Sequence, residues 1–308
     1  MSEESIKYKE LEHLFNLPNV LGFSQKIQER IKGGVVIKDT QVIRVYVKKK
    51  VPAAMLAPHE LIPKQICTGS GCFETDVVEI GELTAMQCQT RTRPVKPGCS
   101  LGHYRITAGT TGWLVEAHGN THILSNLHVL SDDVLNPRAD DPILQPGPYD
   151  GGRHPGDLVA KLMHFVPLKR DEPNEIDAAL AVLTDERFGM PLPVKSAPRD
   201  LRKGETGNYC GRTSGCVTVD VTDDSATVDV CYNPPSCSVV LRFVDQIMYT
   251  VRNQGGPRGG DSGSLIFNAE GGAGGLLFAG SPTAGVACKI SNVLKHLPHQ
   301  YFVIDLCR

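Results

Sequence analysis

Three residues carry side chains suited to nucleophilic chemistry: His128 in SNLHVL, Asp177 in NEIDAALAVL, and Ser262 in GGPRGGDSGSLIF. A serine hydroxyl is a weak nucleophile until a neighbouring base takes its proton, and histidine is the natural base near neutral pH. An aspartate set directly against Ala-Ala-Leu-Ala-Val-Leu is costly to bury unless a donor such as a histidine N–H meets it. The glycines before Ser262 let the backbone N–H groups of Gly260 and Ser262 converge on a developing oxyanion. Each residue also has a bland reading: a core histidine, a solvated strand end, a flexible turn. Their order favours chemistry, with His128 and Asp177 49 residues apart and Ser262 a further 85 along.

The elements that must position them are short strands. From about residue 96 the chain reads TTGWLVEA, THILSNLHVL, DLVAKLMHFV, DAALAVL, CVTVDV, TVDVCY, VVLRFVDQIMYTV, GSLIF and GLLFAG, with turn residues between. That spacing predicts an all-β barrel or sandwich. Only KISNVLKHL has helical spacing. Residues 1–95 differ in texture: LEHLF as a short helix, strands around a turn at Gly33-Gly34, a crossing at PHELIPKQI and a strand at TDVVEIGEL. This predicts a small α/β domain, ending in a basic, proline-rich linker MQCQTRTRPVKPGCS. The second domain is expected over 96–308, as two β-units at about 96–195 and 196–290 before a short helix and tail.

Composition excludes several classes. Net charge is −2 over 308 residues and Lys/Arg are scattered, which gives no nucleic-acid footprint and no polybasic membrane anchor. No apolar run approaches the roughly 18 residues of a membrane span, and MSEESIKYKE is no signal peptide. The expected compartment is the cytoplasm.

Ten cysteines bear on that expectation, since in such a chain they are more often thiols than disulfides. The segment Val217–Val230 reads as a hairpin turning at Asp223-Asp224. In that register Cys216 faces Cys231 and Cys210 faces Cys237. Buried thiols, a redox-sensitive bridge between Cys216 and Cys231, and a cysteine-only zinc site all remain open.

With SNLHVL, EIDAALAVL and GGDSGS in this order, the chain from about residue 96 resembles the trypsin/chymotrypsin-like serine peptidases. The longer set NVLGF, IRVYVKKKVP, LIPKQI, TDVVEIG, RPVKPGCSLGH, TAGTTGWLV, ILSNLHVL and GLLFAGSP resembles intracellular, mainly bacterial, trypsin-like peptidases, whose plant relatives affect leaf growth. The resemblance implies a chymotrypsin-like double β-barrel, mainly β, preceded by the small α/β domain. It implies a serine endopeptidase with His128, Asp177 and Ser262 as triad, Gly260 and Ser262 as oxyanion hole, and Phe278, Ala279 and Gly280 pairing with the substrate backbone. Gly256 takes the specificity-pocket position and carries no charge, so cleavage after Arg or Lys is not implied. Val129 and Arg258 replace cysteines common in secreted members, which fits a reducing compartment.

No cofactor or metal is implied, and GGPRGG lacks the Lys-Ser/Thr of a phosphate loop. The expected partners are a protein or peptide substrate and a regulatory protein, with neither nucleic acid nor membrane. Two rival readings are a silent protease-fold scaffold and an esterase with the same triad. Arg30-Ile31 imitates an activation cleavage site but lies 97 residues before His128, so Asp261 is expected to be held by an internal donor and residues 1–95 to stay attached.

Overall fold

The computed structural model describes residues 6–32, 35–81, 88–297 and 300–304. The chain divides into two units, Met1–Ala85 and Met86–Arg308, each with its own apolar core.

In the first unit α1 (Tyr8–Leu11) runs into a 3-10 turn at Glu12–Asn16. Five strands follow: β1 (Val20–Phe23), β2 (Gln28–Lys32), β3 (Val35–Val47), β4 (Gln65–Thr68) and β5 (Gly71–Glu79). They form a sheet in the order β1-β3-β5-β4, with β2 also on β3. Ile43, Val45 and Val47 alternate inward along β3 and pack with Leu11 and Leu14, the period-two signature of a sheet covered on one face. Arg30 and Ile31 lie inside β2, paired with Ile37 and Val36, while Gly33 and Gly34 fall outside the described residues.

The second unit is built from β-strands in two curled sheets. The first contains β6 (Ser100–His103), β7 (Gly109–Thr110), β8 (Trp113–Ala117), β9 (Asn120–Ser125), β10 (Pro142–Leu144), β11 (Leu158–Phe165) and β12 (Ala179–Leu183). The helical turn α2 (Leu127–Leu130) follows β9, and a late strand, Gln300–Tyr301, joins the edge at β8. A two-residue strand, β13 (Pro193–Val194), leads on to β14 (Thr206–Gly211), β15 (Gly215–Cys231), β16 (Val240–Val251), β17 (Leu265–Phe267), β18 (Ala273–Gly280) and β19 (Gly285–Lys289). The last six close in the order β14-β15-β16-β19-β18-β17. Helix α3 (Ile290–His296) comes next. This is the chymotrypsin-like double β-barrel. No helix among the described residues is long and apolar enough to cross a membrane.

Residues 88–95, read above as linker, are part of this second unit. Cys88 is bridged to Cys99, Val95 is buried, and its N–H donates to the Phe188 carbonyl.

The hairpin expected at Asp223-Asp224 does not form. Residues 215–231 run as one strand, β15, which follows β16 from Val219↔Val251 to Cys231↔Val240 and takes up the two aspartates in bulges. Alternating Val, Thr and Asp has the same period of two whether the chain turns or runs straight. The unbroken 12-residue partner β16 decides for straight. Cys216 and Cys231 therefore sit at opposite ends of a strand and cannot pair. Each finds a local partner instead, Cys210–Cys216 and Cys231–Cys237. With Cys67–Cys72 and Cys88–Cys99, eight of the nine described cysteines are disulfides, and the thiol and zinc readings fall away. Cys307 lies outside the described residues.

Candidate active site

Strand register brings the first two candidates together. β12 pairs with β9 through Ala179↔Ser125, so Asp177, two residues before β12, stands beside the turn that follows β9. That turn is α2, which carries His128. Asp177 is completely buried, and Asn126 fixes its backbone by donating from Nδ2 to the Asp177 carbonyl at 2.7 Å. The carboxylate accepts the Leu127 and His128 N–H groups on Oδ1, at 2.7 and 3.3 Å. On Oδ2 it meets His128 Nδ1 and the Tyr232 hydroxyl, each at 2.6 Å.

Burial pushes the Asp177 carboxyl up, but the His128 charge and the hydrogen bonds from His128 and Tyr232 outweigh it and hold the group below its ordinary value. An ionised carboxylate only accepts, so His128 Nδ1 carries the proton and Nε2 keeps its lone pair. That tautomer is the one a general base needs.

Ser262 comes from the loop before β17. His128 and Ser262 line one cavity of about 880 Å³. No hydrogen bond joins their side chains among the described residues; Ser262 Oγ donates at 3.4 Å to the Phe278 carbonyl. Such contacts are commonly long before substrate arrives.

The loop's carbonyls are all turned outward, and this aims its amides. The Gly259 carbonyl accepts from Thr213 Oγ1 at 2.7 Å, and in a trans peptide the Gly260 N–H must point the opposite way. The Asp261 carbonyl accepts from Ser264 N and Oγ, at 3.1 and 2.6 Å, which turns the Ser262 N–H away in the same manner. Neither N–H donates to an acceptor among the described residues. Thr110 further ties the loop to the first barrel, donating from Oγ1 to Gly260 O and from N to Ser262 O, both at 2.8 Å, while its Oγ1 accepts the Arg212 N–H at 3.0 Å.

Asp261 points away from the cavity and is fully buried. Its carboxyl accepts five donors: Thr213 N and Ser214 N on one oxygen, Tyr209 Oη, Ser214 Oγ and Arg258 N on the other, at 2.5–3.3 Å. The internal donor expected from sequence is thus a set of five, mostly from the β14–β15 hairpin.

The glycines of the motif are required. Gly260 and Gly263 have φ of 96° and 95°, a region that side chains rarely adopt. A Cβ on Gly263 would meet Ser125 Oγ at 2.2 Å and the Thr110 carbonyl at 2.4 Å. Gly263→Ala is therefore expected to destabilise the second unit by about 3 kcal/mol or more, combining backbone strain with overpacking. A thermal melt should fall by about 6–12 °C; an unchanged melt would mean the loop is built differently.

Of the remaining candidates, Phe278, Ala279 and Gly280 line the cavity. β18 pairs with β17 only as far as Leu276, so these three residues offer a free strand edge on that side. Gly256 is not among the lining residues. It is buried, and a Cβ there would meet the Ser281 carbonyl at 1.8 Å, so close packing of backbone explains the glycine.

One cluster, His103, Asp132 and Asp141, brings three side chains of metal-ligating type within 4.8 Å of one another. His103 Nδ1 accepts the Arg105 N–H at 3.3 Å, and its Nε2 lies 3.2 Å from Asp141 Oδ2 without forming a hydrogen bond. Arg105 and Arg138 already pair with Asp132.

Sequence reasoning missed Tyr232, Thr110, Thr213 and Ser214. Each acts through a partner brought near by tertiary pairing, and none stands in a motif of its own.

The fold is similar to that of chymotrypsin-like serine proteases. Among solved structures, a glutamic acid specific serine protease, described as using a histidine triad in substrate binding, is 14% identical with a TM-score of 0.48; the match covers 65% of this chain and 96% of that one. Thermobifida fusca protease A is 13% identical, TM-score 0.47, over 68% and 98%. Cellulomonas bogoriensis chymotrypsin is 14% identical, TM-score 0.44, over 67% and 98%. No family model matches the sequence, and no curated protein matches it.

Proposed function

We propose that the chain is a serine endopeptidase that cleaves protein substrates through Ser262, His128 and Asp177 and an acyl-enzyme. The observation that carries the reading is His128, held by the buried Asp177, sharing one cavity with a serine whose own N–H, and that of Gly260, donate to no acceptor among the described residues. A peptide extended along Phe278–Gly280 would add a strand to β18 and lay its scissile carbonyl beside Ser262. His128 Nε2 takes the Ser262 proton as Oγ attacks that carbonyl. The Gly260 and Ser262 N–H groups stabilise the oxyanion, where one such donor is worth about 10²–10³ in rate. Imidazolium then protonates the leaving amine, and water, deprotonated by the same nitrogen, releases the acid. No step calls for a metal or cofactor.

Asp261 is saturated by internal donors, so this reading needs no new N-terminal amine to order the oxyanion loop, and residues 1–95 stay attached. The intact chain, with its N-terminus verified by sequencing, is expected to react with a fluorophosphonate probe and to cut a protein substrate at mappable ends. Labelling without peptide cleavage would favour the esterase, and absence of both the scaffold. Activity appearing only after a cut at Arg30 would sink the internal latch. Four disulfides weigh toward an oxidising compartment and against the cytoplasm.

A further inference from the structure

We propose that Tyr232 is a positioning residue of the triad, holding Asp177, and through it His128, from a loop of the second barrel clasped by the Cys231–Cys237 bridge. The inference rests on the peptidase reading of the site.

The carboxylate of Asp177 has about four acceptor positions, and all are filled. Three are met by α2, through Leu127 N, His128 N and His128 Nδ1. Only the Tyr232 hydroxyl comes from the other barrel, donating at 2.6 Å to the same oxygen that His128 uses. With one lone pair of Oδ2 taken by the phenol, a single direction is left for the His128 N–H. The carboxylate cannot rotate without breaking a buried charge-assisted bond.

The ring is placed for this task. Tyr232 stands edge-on to His128, centroids 5.9 Å apart at 81°, and stacks on Phe243 at 6.1 Å and 22°. Burial, followed by the Asp177 charge, pushes its phenol well above the ordinary tyrosine value, so it stays a donor across the working pH range. The adjacent Cys231 is bonded to Cys237, and Tyr232 N donates to Val239 O at 2.9 Å across the loop base. Asn233 accepts the Val239 N–H at 2.8 Å, closing the loop a second time. A tyrosine serving only as core filling would need its ring but not this hydroxyl.

The test is Tyr232→Phe, which keeps the ring and removes one oxygen. A hydrogen bond to a charged group corresponds to about a 10- to 100-fold change. We expect kcat to fall by that factor, KM to stay within about twofold, and the acid limb of the pH–rate profile to move to higher pH, because the Asp177 charge is less dispersed. In addition, Cys231→Ser with Cys237→Ser should lower kcat in the wild type and have little further effect in Tyr232→Phe, since both changes release the same contact. Wild-type kcat and an unmoved acid limb in Tyr232→Phe would overturn the proposal while leaving the peptidase reading intact. If the wild type neither cleaves nor labels, the peptidase reading fails, and the downfield Nδ1 proton resonance of His128 still reads the tie. Its displacement in Tyr232→Phe supports the contact, and an identical signal refutes it.

Discussion

Ser262→Ala is expected to lower kcat/KM for a peptide substrate by about 10⁶-fold, and His128→Ala by a similar factor. The two act as one unit: without the base the hydroxyl is not activated, and without the hydroxyl the base has nothing to deprotonate. The double variant should therefore be no worse than either single one. Ser262 is only part-buried and its Oγ makes one long contact, to Phe278, so its removal leaves no buried group unpaired. The thermal melt of Ser262→Ala should match wild type. The measurement is a single-turnover assay beside fluorophosphonate labelling and a melt on the same samples. Cleavage by Ser262→Ala at the wild-type rate would place the nucleophile elsewhere.

Asp177→Asn should cost about 10⁴ in kcat, for a reason that can be read from the hydrogen bonds. The Leu127 and His128 N–H groups require an acceptor at the Oδ1 position, so the new amide must place its oxygen there and its NH₂ toward His128. Facing a donor, Nδ1 must become an acceptor, and the ring proton moves to Nε2. That nitrogen can then no longer take the serine proton. The same variant carries a stability signature. The Asp177 carboxyl is depressed in the folded protein, so its contribution is present above the unfolded value of about 3.9 and is lost as pH falls through the lower folded value. Melts collected from pH 6 to pH 2 should fall more steeply at the acid end for wild type than for Asp177→Asn. Parallel curves would mean that Asp177 carries no such charge.

What the sequence made legible was what lies within one segment. Ser262 announces itself because the left-handed turns at Gly260 and Gly263 admit little but glycine, and that requirement is written in adjacent letters. His128 and Asp177 could be paired by order because each ends or begins a recognisable strand. The alternation of Val217, Val219 and Val221 marked β structure but could not say whether the chain turns at Asp223, since period two is blind to direction. Only the length of β16, a partner lying beyond the segment, settles it. The cysteine pairing failed for the same cause: the proposed bridge inherited a hairpin that does not exist. Tyr232 was invisible because nothing near it in the chain hints at Asp177, 55 residues away. Gly256 was read by position alone, and its packing against Ser281 depends on a loop that local pattern does not describe.

The five-donor seat of Asp261 bears on how such a protein is governed. Activation by cleavage is a one-way ratchet: each molecule is armed once, and only destruction or an inhibitor disarms it. A latch made wholly of groups that travel with the folded barrel has no such memory. Its state is a function of present conditions, so on the peptidase proposal occupancy of the cavity would set activity by mass action and could be reversed as often as those conditions change. A chain of this design is a thermostat rather than a fuse.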